Sequence, residues 1–120
     1  MIKVGEHITL DIIGTTKEYD PSVFERVIHK IAKAANVTIL KISKYKFEPQ
    51  GFTILALLAE SHISFHTFPE KGIISFDFFT CGKISPSVAI DIVKEEFEHR
   101  RIVKKAVSYT HLRAHETFAN

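Results

Sequence analysis

Over residues 7–13, HITLDII, apolar Ile8, Leu10 and Ile12 alternate with polar or mixed neighbours, and a period of two predicts a half-buried strand. Gly14-Thr15-Thr16 supplies a turn, after which the period changes. Asp20-Pro21 reads as an N-cap followed by proline at the first helical position. Val23, Phe24, Val27, Ile28, Ile31 and Ala35 then recur at helical spacing, which predicts an amphipathic helix of about four turns. Asn36 is its expected stop. Val37, Ile39, Lys41, Ser43, Tyr45 and Phe47 fall on one side of a second strand, whose outer half carries lysines as a solvated face would.

Residues 48–51, EPQG, are turn chemistry that closes a hairpin. Residues 52–59 are a continuous apolar run, expected to be buried on both faces or to face a second layer. Another hairpin follows, with strands over 62–67 and 73–80 around the turn PEKG at 69–72 and Gly82 at its end. Ser85-Pro86 repeats the helix-start signal, and Val88, Ala89, Ile92, Val93 and Phe97 give a second helix its apolar face. A last strand is expected over 101–108. Strand, helix, several antiparallel strands, helix, strand predicts an α+β two-layer sandwich: a mainly antiparallel sheet with both helices on one face.

The 120 residues fit a single domain over 1–108, leaving 109–120 as an atypical tail. In that tail His111 and His115 stand four apart, a spacing that could ligate a metal on a helix, although two ligands without a third make a weak site. The tail otherwise reads as peripheral, or as sequence foreign to the domain. A formal charge of +2, with scattered lysines, argues against a nucleic-acid partner. One cysteine offers no disulfide framework, and the chain shows neither a signal-peptide pattern nor an apolar run long enough to span a membrane. A cytoplasmic protein with no membrane partner is the expectation.

Glu60, Ser61, His62, His66, Glu70, Asp77 and Cys81 crowd into otherwise apolar strands. Each alone fits an ordinary satisfied polar residue; the clustering does not, because burying such groups without partners costs several kcal/mol. Three chemistries are open. His62 and His66 share a strand face and Cys81 could join them around a metal, but the spacing matches no standard zinc signature. Cys81 could be a nucleophile activated by His66 across the hairpin. Or a strained turn at Glu60-Ser61 could let the serine hydroxyl attack the preceding carbonyl, converting a peptide bond into an ester.

The run ESHISFHTFPEKG, followed by DFFTCG, resembles the processing and active-site region of the S-adenosylmethionine decarboxylase family in its short prokaryotic form. GEHITLDIIG, the KFEPQG turn and the second helix fall in corresponding places, so the likeness spans residues 4–108. The resemblance implies self-cleavage between Glu60 and Ser61, leaving a β chain of 1–60 and an α chain of 61–120. Ser61 would become a pyruvoyl group, the only cofactor implied, able to form a Schiff base with a substrate amine and act as electron sink. No metal is implied.

By the same resemblance His66 serves processing, Cys81 is the proton donor to the carbon left by carbon dioxide, Phe47 stacks on an adenine, Glu70 meets ribose hydroxyls, and Thr53 stands where a serine near the cleavage site is usual. His62 is a neighbour of the cleavage serine and Asp77 structural. Phe68 and Lys71 depart from the family pattern, in which tryptophan and an aromatic or small residue are usual. The implied reaction makes the aminopropyl donor for spermidine synthesis. Decarboxylation of arginine or ornithine on the same fold, or a homologue that never cleaves, are the alternatives. A small-molecule substrate and a homodimer with sites near its interface complete the expectation.

Overall fold

The computed structural model describes residues 2–81 and 84–111. The chain runs β1 (Ile2–Ile13), α1 (Pro21–Ala35), β2 (Ile39–Lys46), β3 (Phe52–Leu58), β4 (Ser61–Phe68), a single 3-10 turn (Pro69–Lys71), β5 (Ile73–Cys81), α2 (Ser87–Glu96) and β6 (Arg101–His111). The strands form one sheet in the order β2-β3-β4-β5-β1-β6, with every neighbouring pair antiparallel. Both helices contribute to one buried cluster with the sheet, so the fold is the α+β two-layer arrangement that the pattern predicts.

The local signals act through identifiable contacts. The Asp20 carboxylate accepts from the Ser22 backbone N–H, which holds its carboxyl below the usual range, and α1 ends where Asn36 turns left-handed at φ 57°. Phe24, Val27, Ile28, Ile31 and Ala32 are its buried stripe. They meet Ile8, Leu10 and Ile12 of β1, Ile54 and Leu58 of β3, Phe65 of β4 and Phe76 and Phe78 of β5. Helix α2 adds Ala89, Val93 and the buried Phe97 just beyond its end. Glu96 ties the helices together by accepting from Lys30 at 2.6 Å and Arg26 at 3.0 Å, and these two cations hold its carboxyl below the ordinary glutamate range.

Three expectations change. β1 starts at Ile2, five residues early, and β6 continues to His111 rather than stopping at 108. Its last rungs pair Tyr109 with Gly5 and His111 with Ile2. The expected tail therefore begins inside a strand, and His111 is not on a helix; His115 and Gly82 lie outside the described residues. The apolar run of β3 is buried on one face only: Phe52, Ile54, Ala56 and Leu58 are covered, while Leu55 and Leu57 are 45% and 51% exposed. Among the described residues no helix is long and apolar enough to cross a membrane.

Leu55 and Leu57 belong to a sheet face that neither helix covers. By strand alternation and register, Tyr45, Thr53, His62, Ser64, His66, Asp77, Phe79, Cys81, His7, Val107 and Tyr109 lie on it too. Nearly all the polar chemistry of the sheet faces this side.

Candidate active site

The turn joining β3 to β4 has two residues, Ala59 and Glu60, because Leu58 and Ser61 already face each other as a strand pair. Glu60 takes φ 63°, a left-handed conformation that a side chain other than glycine or asparagine adopts at a cost. The strain sits on the residue whose carbonyl precedes Ser61. Ser61 is 6% exposed, and among the described residues its Oγ is the buried side-chain polar atom without a hydrogen-bond partner. Leaving a buried hydroxyl unmade costs about 1–3 kcal/mol. A strained residue thus stands directly before an unengaged hydroxyl.

Cys81 ends β5 at the same end of the sheet. His62 faces Phe79, so one further step brings the Glu60-Ser61 junction alongside Thr80 and Cys81. Cys81 is a free, partly exposed thiol on the open face, whereas alternation along β4 turns the Ser61 side chain toward the helices, with Ile63 and Phe65.

His66 is elsewhere. It pairs with Ser75 on β5 and with Thr53 on β3, five positions along β4 from Ser61, or about 16 Å at strand rise. Cys81 is six positions from Ser75 along β5. The Cys81-His66 pair across the hairpin, one of the three open chemistries, is therefore not formed within a chain, and the same register keeps His62, His66 and Cys81 of one chain from sharing a metal. The structure instead gives His66 the hydroxyl of Thr53, 2.8 Å from its Nδ1. Within one chain Thr53 accordingly stands with His66 and away from the Glu60-Ser61 junction.

Phe47 and Glu70 mark the same end as this pair. Phe47 is bound to the β2–β3 turn through its N–H to the Gly51 carbonyl at 2.8 Å, and its ring lies 4.9 Å from that of Tyr45. Glu70 is exposed in the 3-10 turn between β4 and β5. Phe68, also exposed, precedes that turn, and Lys71 is exposed within it. The cleft of about 410 Å³ near these turns lies between the β1–α1 loop and residues 49–52, bordered by Tyr19, Phe24 and Phe52, and none of the candidate site residues lines it.

The candidate residues thus separate into two half-sites on one sheet: Glu60, Ser61 and Cys81 at one end, Phe47, Thr53, His66 and Glu70 at the other. A sequence model of S-adenosylmethionine decarboxylase matches residues 6–109. The chain belongs to the S-adenosylmethionine decarboxylase family. It is 42% identical over 96 residues to an S-adenosylmethionine decarboxylase proenzyme of Prochlorococcus marinus, covering 78% of this chain and 77% of that one. A proenzyme of the same description from Synechococcus is 44% identical over 98 residues, covering 79% and 77%. The crystal structure of the adenosylmethionine decarboxylase from Aquifex aeolicus superposes with a TM-score of 0.81 at 30% identity, over 98% of this chain and 100% of that one.

The sequence picked out these residues but not their neighbourhood. Reading outward from the PEKG turn, each residue of β4 has a fixed partner on β5, and that arithmetic alone separates His66 from Cys81 while bringing Cys81 to the Glu60-Ser61 junction. Sequence reasoning also left out His7. Its Nε2 lies 3.1 Å from an Asp77 carboxylate oxygen, a contact between β1 and β5 that no local pattern announces.

Proposed function

We propose that this chain is a self-processing decarboxylase of S-adenosylmethionine, cut between Glu60 and Ser61. The observation that carries the reading is the buried, unpartnered Ser61 hydroxyl beside a Glu60 held at φ 63°. The fit to a pyruvoyl group is chemical: a serine at a strained junction can be its precursor, and no unmodified side chain carries a ketone. The Ser61 Oγ attacks the Glu60 carbonyl carbon, the C–N bond breaks, and an ester replaces the amide. Loss of the Ser61 Cα proton expels the Glu60 carboxylate. Hydrolysis of the remaining enamine releases ammonia and leaves the keto group at the head of the 61–120 fragment. Once formed, that group supplies an electrophilic carbonyl and electron sink to an amine substrate.

The chain's own residues do the rest. His66, with Nδ1 engaged by Thr53, presents Nε2 for the proton transfer that opens the ester. Cys81 holds the proton delivered to the carbon that loses carbon dioxide. In the uncut chain Ser61 and Cys81 lie on opposite faces, and cutting the 60–61 bond releases Ser61 from the two-residue turn that fixes its side. Phe47 offers a half-exposed ring for an adenine and Glu70 a carboxylate for ribose hydroxyls. A nucleoside-bearing substrate, as the relatives' description has it, uses this ring; arginine or ornithine would leave it idle. The product is an aminopropyl donor of the kind used for spermidine.

Since His66 is five strand positions from Ser61, one chain cannot complete the site. We infer a homodimer in which the open faces stack in opposite directions, so that Thr53 and His66 of one copy meet Ser61 and Cys81 of the other. Exposed Tyr45, Leu55, Leu57, Val107 and Tyr109 on that face supply the apolar contact. Mass spectrometry of purified protein, combined with labelled carbon dioxide release from S-adenosylmethionine, tests the reading. Two fragments split at 60–61, the second with a blocked amino end, support it; an intact chain, or a free seryl amino end, overturns it.

A further inference from the structure

His7 on β1, His62 on β4 and Asp77 on β5 converge on the open face, with one ligand atom from each all within 4.8 Å of one another. We propose that these three side chains bind one divalent first-row transition ion, with Zn²⁺ as the reference case.

The geometry goes beyond an ordinary histidine–carboxylate pair. Nε2 of His7 lies 3.1 Å from Asp77 Oδ2, and Nε2 of His62 lies 3.9 Å from the same oxygen, too far for a hydrogen bond. Two imidazole nitrogens are therefore gathered around one carboxylate oxygen. In a tetrahedral site with bonds of about 2.0–2.2 Å the ligand atoms stand about 3.3–3.6 Å apart, so ring rotations closing separations that reach 4.8 Å by at most about 1.5 Å would complete the coordination. The other Asp77 oxygen is already occupied: Ser64 Oγ donates to Oδ1 at 2.5 Å, which fixes the carboxylate and leaves Oδ2 turned toward the two rings. Such outer contacts orient metal ligands in known sites.

Phe79 lies beside both imidazoles. Its ring lies nearly parallel to His62, with centroids 5.9 Å apart, and edge-on to His7 at 6.0 Å. All three ligands stand on neighbouring strands of a rigid sheet, not on loops. Two imidazoles and one carboxylate suit Zn²⁺, Co²⁺, Ni²⁺ or Fe²⁺ and disfavour Mg²⁺ and Ca²⁺, which take oxygen ligands. In the single chain the side chains are partly exposed, so an ion can enter before two open faces stack, and the fourth position is left for water or a group of the facing copy. Where the chain is cut at 60–61, His7 belongs to one fragment and His62 and Asp77 to the other, so the ion would clip the two fragments together.

Calorimetric titration of the untagged full chain with ZnCl₂ tests this, with Co²⁺ absorption as a second readout. The expected result is one ion per chain at micromolar affinity or tighter, the visible bands of tetrahedral Co²⁺, and at least about a tenfold weaker binding in His62→Ala and in Asp77→Asn. Replacing His29 on α1, or His111 and His115 together, should leave binding unchanged. No binding at a hundred micromolar ion, binding that survives His62→Ala, or binding that disappears with the two C-terminal histidines overturns the proposal. Should Asp77→Asn fail to fold, His62→Ala carries the test, its side chain being 40% exposed. The readout is the ion and not turnover, so it stands or falls apart from the processing of Ser61.

Discussion

The Thr53 hydroxyl lies 2.8 Å from Nδ1 of His66, across the paired strands β3 and β4. A hydrogen bond to one ring nitrogen sets what the other can do, because the bonded nitrogen's role fixes the tautomer. Thr53→Val removes the bond and keeps the shape. Processing is expected to slow by about 10- to 100-fold, the scale known for contacts that orient metal-bound histidines, with Thr53→Ser close to the native rate. Disappearance of the uncut chain on gels, followed over pH, measures it. A uniform slowing without change in the pH profile would indicate a packing role instead.

Mixing two defective chains addresses the separation of the half-sites. Ser61→Ala cannot be cut, and His66→Ala keeps an intact Ser61 but lacks the histidine. Co-expressed, the Ser61→Ala chain is expected to lend its His66 to the other, so that only the His66→Ala chain is cut. If both remain whole while mixed dimers form, His66 does not act across the interface.

Strain at Glu60 gives a third expectation. Glycine accepts a positive φ that glutamate resists, at a difference of about 1 kcal/mol. Placed in the uncut Ser61→Ala background, Glu60→Gly should preserve or raise the thermal midpoint. With Ser61 present it should slow cleavage severalfold, because the junction starts from a lower free energy. Faster cleavage would show that the left-handed turn hinders the attack.

The Glu96 carboxyl, lowered by Lys30 and then Arg26, links stability to pH. A carboxyl whose folded pKa is depressed binds its proton more readily in the unfolded chain. Its contribution is present above the usual glutamate pKa of about 4.3 and is lost as pH falls through the depressed folded value. Glu96→Gln should cost about 1 kcal/mol at neutral pH and flatten the acid limb of the stability curve. Denaturant titrations between pH 3 and 7 read both effects.

The elements were legible where a local signal sets them. Asp20-Pro21 and Asn36 bound α1, and the turns at 48–51 and 69–72 place two hairpins. Leu55 and Leu57 are apolar, which signals a covered position, yet within one chain nothing covers them; a second layer over this face belongs to the proposed dimer. β6 ran past its expected end because pairing with β1 supplies the order that Tyr109 and the following residues do not announce. The reactive residues stood out by type, and their grouping did not, since a strand's facing residue depends on where the turn falls rather than on what the residue is.

The strand order β2-β3-β4-β5-β1-β6 interleaves the two sides of the Glu60-Ser61 junction. The leading segment contributes β1, β2 and β3, the trailing one β4, β5 and β6, and β1 is wedged between β5 and β6. A nick at that junction would leave two interlocked polypeptides, neither able to rebuild the sheet by itself. Melting the nicked protein would then become a bimolecular dissociation, with recovery on cooling that depends on dilution, whereas the unbroken chain carries all its strands on one thread.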